Sequence, residues 1–349
     1  MHTMDIRAKI LQIAKDRKKF RTSDIAKDLK LSRVYISSIL SKLYSQGKLM
    51  RSGGGQYVFY ALPSNADSLR DIIKRRLENK DLKEHEVLDR LKIETPFLKQ
   101  LKENVDSIFN YAFSEMLNNA IEHSQSEQIE VEVEVLDDRL RFVVRDYGIG
   151  VFKNVQAKRN LKSELEAIQE LLKGKTTTQP HSHSGEGIFF TSKVGDLFVL
   201  DSYNLSLRID NVLNDVFVEE IKNLRGTRVT FEIMLKSNRH LNDVFGEYQS
   251  DPGSYAFDKT EILIKIYTIG TIYVSRSQAR RIVNNLDRFK TVILDFDQVS
   301  TIGQAFADEI FRVFPSKHPE IKLIAVNINE AVEFMIGRVE KPSNVTVNR

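Results

Sequence analysis

The chain has 349 residues, 41% hydrophobic and 29% charged, a size that points to two or three folded domains rather than one. With no cysteine and no apolar run near the roughly 20 residues of a membrane helix, disulfides, thiolate chemistry and a membrane partner are excluded, and a cytoplasmic protein is expected. The net charge of +4 hides an imbalance: residues 1–80 carry 18 Lys and Arg against 7 Asp and Glu, so a basic head precedes an acidic body.

Residues 5–16 have the spacing of an amphipathic helix, with Ile6, Ile10, Leu11, Ile13 and Ala14 on one side. Thr22-Ser23-Asp24 offers N-cap chemistry for a short second helix over 25–29. After Leu31-Ser32 the pattern predicts a third helix, with Val34, Ile36, Ile39, Leu40 and Leu43 as its core face, ending at Gln46-Gly47. Residues 48–51 and 57–62 flank Gly53-Gly54-Gly55 and read as a hairpin. Three helices and a hairpin in this order resemble the winged helix-turn-helix of bacterial regulators, which implies that residues 1–64 meet DNA. Arg33, Tyr35, Ser37, Ser38 and Lys42 would lie on the outer face of the third helix, as hydrogen-bonding groups and cations suited to the major groove. Arg51 and Gln56 would sit at the wing. A protein-interaction module with a solvated basic surface is the alternative.

Residues 65–96 are rich in Arg, Lys, Glu and Leu and predict one or two connecting helices. His85-Glu86 has the outline of a kinase phosphoacceptor, but its next proline, Pro96, is distant and the following helix arrives too soon. His85 therefore reads as a surface residue.

Residues 97–236 carry the main signal. A helix over 107–124 places Glu115, Asn119 and His123 on one stripe at a spacing of four. Such a stripe needs a polar partner, and the amide oxygen of Asn119 can ligate a hard cation. Strict alternation over 129–135 predicts a strand with one wet face, and 140–145 a second that runs into Asp146-Tyr147-Gly148-Ile149-Gly150. A carboxylate beside a tight glycine bend can accept from an exocyclic amine while a flat ring approaches the backbone. A polar segment over 153–184 includes a helix at 161–172. Lys175, Thr177, Thr178 and Ser184 are candidate phosphate donors, before Gly185-Glu186-Gly187 opens another helix. Gly226-Thr227 enters a last strand.

These four blocks, in this order, resemble the ATP-binding fold shared by gyrase, the 90-kDa chaperones, histidine kinases and MutL. The resemblance implies ATP and Mg²⁺ as cofactors, with Asn119 on Mg²⁺ and Asp146 on adenine. It also implies that Gly148, Gly150, Gly185 and Gly187 shape the pocket and lid, and it puts Glu115 at the general-base position. His181 and His183 read as phosphate or solvent contacts.

Residues 237–258 mix Asn, Asp, Gly, Ser and Pro and predict a linker; 259–349 alternate strand and helix and predict an α/β domain. The run 292–309 resembles the STAS-like relatives of anti-sigma-factor antagonists. Those antagonists accept phosphate on a helix-start serine. Here Gln304 and Ala305 hold those positions, and the nearest hydroxyls are Ser300 and Thr301. A docking or regulatory module for a protein partner is expected instead. The expected architecture is multidomain α+β: a winged helix, a Bergerat-type α/β sandwich and a STAS-like α/β domain. The expected function is an ATP-responsive regulator of transcription or stress. A slow ATPase or Ser/Thr protein kinase is the alternative, and a homodimer is left open.

Overall fold

Two separate hydrophobic clusters organise the protein, one in the basic head and one running through everything after it. The computed structural model describes residues 6–52, 58–69, 71–95, 97–136, 138–175, 186–251, 256–269 and 275–348.

In the head, α1 (Ile6–Asp16), β1 (Phe20–Arg21), α2 (Thr22–Leu29), α3 (Arg33–Ser45), β2 (Met50–Ser52) and β3 (Phe59–Ala61) follow in order. The three strands form an antiparallel sheet in the order β1-β3-β2. Ile10, Ala14, Phe20, Ile25, Ile36, Leu40 and Leu43 close the core. Helix α2 starts a turn earlier than the pattern predicts, where Asp24 Oδ2 accepts from Arg21 N at 2.8 Å and holds the first turn. Val34, expected in the core, is instead 83% exposed. It sits on the first turn of α3, where the buried stripe begins at Ile36.

The second cluster begins where connecting helices were expected. A 3-10 helix spans Pro63–Leu69, residues Asp71–Glu78 form strand β4, and α4 (Glu84–Glu94) is the α-helix among the described residues of that stretch. Charge explains the strand. It lies antiparallel to β5 (Gln128–Leu136), one face of which carries the half-buried Glu130 and Glu132 and the buried Glu134. Lys74 meets Glu132 at 2.6 Å and Arg76 meets Glu130 at 3.3 Å, cross-strand pairs that each contribute a few tenths of a kcal/mol or more, up to about 1. From β6 (Arg139–Asp146), Arg141 completes the ladder on Glu134 at 2.6 Å.

Helix α5 (Glu103–His123) lies on the apolar side of this sheet, with Phe109 and Phe113 against Phe142. Next come α6 (Val151–Arg159), α7 (Glu164–Lys173), α8 (Gly187–Val194), β7 (Leu197–Asp210) and β8 (Asp215–Met234). The sheet order is β4-β5-β6-β8-β7, antiparallel throughout.

The described residues of the expected linker, 237–251 and 256–258, are packed structure. They contain α9 (Leu241–Glu247), and Phe245, Tyr248 and Phe257 join Phe189 and Phe190 of α8 in one aromatic cluster with centroids 4.6–6.1 Å apart. Phe257 also meets Phe289 at 5.4 Å, which carries the cluster into the C-terminal module.

That module contains β9 (Lys259–Leu263), α10 (Arg276–Val283), β10 (Thr291–Asp295), α11 (Gln304–Asp308), α12 (Phe314–Lys317), β11 (Lys322–Val326), α13 (Glu330–Gly337) and β12 (Val345–Val347). Its four strands are all parallel, in the order β12-β11-β10-β9. Beyond Leu263 the chain turns into a short 3-10 helix over Ile264–Tyr267, and a π turn over 309–313 joins α11 to α12. Among the described residues no helix is long and apolar enough to cross a membrane.

Phe257 is 7% exposed and touches rings from three elements. Phe257→Ala is expected to destabilise the protein by about 3–5 kcal/mol, read as a lower midpoint in urea unfolding.

Candidate functional site

The site is built on the second half of α5. Its apolar residues Phe109, Ala112, Phe113, Met116 and Leu117 are buried. That leaves Glu115, Asn119 and His123 half-buried on another face, each about 6 Å further along the axis. Glu115 reaches the start of α8, where a Cβ on Gly187 would overlap its Oε2. At the far end of α5, Ser124 O accepts from Ile149 N at 2.9 Å. A Cβ on Gly148 would overlap the same carbonyl, so only glycine lets this turn lie against the helix end. Asn119 thus stands between the α8 N-terminus and the Asp146–Gly150 turn.

Asp146 ends β6 and is 4% exposed. Its Oδ1 accepts from Gly148 N at 2.9 Å and Thr227 N at 3.2 Å. Gly226 has φ +81°, and a side chain there would overlap Asp146 O. Thr227 Oγ1 accepts from Val151 N at 3.0 Å, tying β8 to the start of α6. Burial pushes the Asp146 carboxyl above its ordinary range, opposed by the amides of Gly148 and Thr227. Burial, and then the charges of Glu115 and Glu186, push the Tyr111 hydroxyl up as well.

Sequence reasoning missed the support beneath this turn. Tyr203 OH donates to Gly148 O at 3.1 Å, its ring lies against Gly150, and Lys153 Nζ sits 3.4 Å above the ring centroid. Ser202 Oγ donates to Gly226 O at 3.0 Å. Both residues lie where the β7–β8 register shifts, and Tyr203 has φ +51°. A period-2 pattern interrupted by a bulge carries little signal in a single sequence. Ser126 Oγ, which accepts from Tyr147 N at 3.0 Å, was also invisible.

The structure therefore sets Gly187 beside Glu115 partway along α5 and Gly148, with Asp146, Gly150 and Thr227 around it, against the end of the helix; Asn119 lies between the two and His123 in the last turn. It does not bring Lys175 there: Lys175 Nζ donates to Arg288 O at 3.0 Å and lies over the rings of Phe257 and Phe289. Thr177, Thr178, His181, His183, Ser184 and Gly185 lie outside the described residues.

In the head, Arg33, Tyr35, Ser37, Ser38 and Lys42 are all exposed on α3, and Arg51 is exposed on β2. Ser32 Oγ caps the helix by accepting from Tyr35 N at 3.3 Å. Gln56 lies outside the described residues. In the C-terminal module, Ser300 is exposed just before α11, and Asn329 Nδ2 donates to its carbonyl and to that of Val299.

Residues 59–206 match the family described as a histidine kinase-like ATPase domain. Residues 278–333 match a STAS-like domain of unknown function, DUF4325. The first match includes β4 and every site residue from Glu115 to Gly187, and stops before Thr227. No curated protein matches the chain.

The raised Asp146 carboxyl gives a pH signature. The folded state holds this proton more tightly than the unfolded state, so its stabilising contribution is present on the acid side. It fades as pH rises from the usual carboxylate range through the raised folded value. Asp146→Asn removes the buried charge and is expected to raise the melting temperature at pH 7 by about 2–4 °C, a gain of about 1 kcal/mol. Calorimetric scans between pH 4 and 8 should show that gain shrink toward pH 4.

Proposed function

We propose that the protein is an ATP-binding regulator, in which Mg-ATP at the α5–β6–α8 site changes how the basic head and the STAS-like module dock. The carrying observation is the convergence of a buried carboxylate, Asp146, with backbone that excludes side chains at Gly148 and Gly226. A carboxylate has about four acceptor sites. Two backbone amides and the Thr227 hydroxyl engage Asp146, which leaves capacity for the exocyclic amine of adenine. Asn119 offers an amide oxygen of the kind a hard cation takes, one helical turn on from Glu115. The first amides of α8, beside Gly187, offer donors to phosphates. Bound Mg-ATP would supply the negative tail around which these donors gather.

The head supports a DNA partner by its charge and shape. Residues 1–62 hold 13 Lys and Arg against 4 Asp, and its three helices and small antiparallel sheet follow winged-helix order. The exposed face of α3 presents the residues a major groove would meet. ATP can shift DNA affinity only through different affinities for two docked arrangements. The position of Glu115 against Gly187 favours a second reading, slow hydrolysis or transfer to a Ser or Thr hydroxyl with Glu115 as base.

Titration of the full chain with labelled ATP is expected to show saturable, Mg²⁺-dependent binding that weakens about tenfold in Asn119→Ala. Absence of binding sinks the proposal; release or transfer of labelled γ-phosphate moves it to the second reading. DNA binding is expected to fall steeply with salt. Lys42→Ala or Arg33→Ala should each lower the log–log slope by about 1, and an unchanged slope would remove α3 from the interface.

A further inference from the structure

Helix α7 shows two unlike faces. Ala167, Ile168 and Leu171 are buried apolar residues. Gln169, Glu170 and Lys173 are polar and yet only 3%, 6% and 2% exposed, because the STAS-like module covers them. Each is matched. Gln169 Nε2 donates to Ile266 O at 3.2 Å. Lys173 Nζ donates to Glu170 Oε1 at 2.5 Å, to Arg281 O at 2.7 Å and to Asn284 O at 3.0 Å, which uses all three of its donors. Asn285 Nδ2 donates to Glu170 Oε2 at 2.9 Å, and Arg281 Nη1 to Glu166 Oε1 at 3.1 Å. Two residues beyond α7, Lys175 Nζ donates to Arg288 O, and Arg288 Nη1 donates back to Lys175 O at 3.1 Å.

A helix meant to stay docked is held as well or better by apolar residues, since a buried ion pair loses much of its attraction to desolvation. The Tyr267 hydroxyl across the junction is buried without a partner, but the polar face of α7 is itself hydrogen-bonded, and such a face has another property. When it parts, every group finds water in place of its partner, so opening costs little per bond. Interfaces between domains that move are polar in this way. The aromatic cluster around Phe257 is apolar and keeps the modules joined while the polar face lets go.

We infer that the STAS-like module is a releasable latch on α7: docked, it holds α7 and keeps Lys175 on Arg288, away from the nucleotide site. The latch rests on the nucleotide reading above and deepens it. Module and nucleotide compete for one segment, so ATP loosens the junction and a loosened junction tightens ATP binding. Linkage makes the two effects equal in size.

The test uses two perturbations of opposite sign in the full chain. Asn285→Ala removes a donor to Glu170 and is expected to tighten ATP binding about fivefold, a modest coupling. The chain has no cysteine, so Glu166→Cys with Arg281→Cys can be joined by a short thiol crosslinker. The crosslinked protein is expected to bind ATP about fivefold more weakly than the same variant before crosslinking. In the wild type, ATP should speed hydrogen exchange over residues 276–288, and the crosslink should abolish that effect. Equal affinities in all forms, or shifts in the same direction, overturn the latch while leaving ATP binding intact. A wild type that binds no ATP overturns the nucleotide reading and the latch together. Should the double-cysteine variant not melt cooperatively, Asn285→Ala and Arg281→Ala decide alone, and wild-type affinity in both overturns the latch.

Discussion

Bare backbone has to meet at Asp146 for the central module to work. The end of α5, the turn after β6 and the entry to β8 all converge on this one carboxylate. Ser124 O takes the turn, Asp146 Oδ1 takes both the turn and the strand, and glycine stands wherever a Cβ would collide. The register that sets Arg145 opposite Arg228 follows from that convergence. So does the placement of Glu115 and Asn119, since α5 is clamped at its C-terminus by Gly148 and touches Gly187 higher up. A buried carboxylate is a poor way to stabilise a fold. Its burial at a crossing of three segments is the observation on which the proposed nucleotide site rests.

The join between the ATPase-like and STAS-like modules combines two kinds of contact with different physics. The aromatic cluster is non-directional and strong, and it spans α8, α9 and the chain that enters β9. The face of α7 is directional and hydrogen-bonded. The β7–β8 hairpin adds a further contact through Asp215 and Lys265. Both kinds of contact fall on elements of the ATPase-like module, α7 and α8 among them, so the C-terminal module is connected to the elements that carry the candidate site.

What could be read from the residues alone followed how local the determining physics is. Helix α5, strands β5 and β6 and the three head helices carry their own periodicity, and the glycine blocks carry their own geometry. Strand β4 was misread because Lys74, Arg75 and Arg76 look like a solvated helix until Glu130 and Glu132, over fifty residues away, are set opposite them. The stretch 237–258 was read by its majority of small polar residues, whereas a minority of buried aromatics decides its structure. Lys175 was assigned to phosphate on its neighbours in sequence, and its partner, Arg288, comes from another module. Val34 failed for a simpler reason: the first turn of a helix can project past the body it packs on.

The head keeps its apolar residues to itself. Ile10, Phe20, Ile36 and Leu43 share a cluster with no member from beyond Leu62, while the two larger modules share one. Cooperativity follows shared cores, so the head should melt as its own unit and the remainder as a single larger one. A unit that folds alone can be exchanged for another without disturbing the modules downstream. The ATPase-like and STAS-like halves, bound through one interior, must be inherited as a pair.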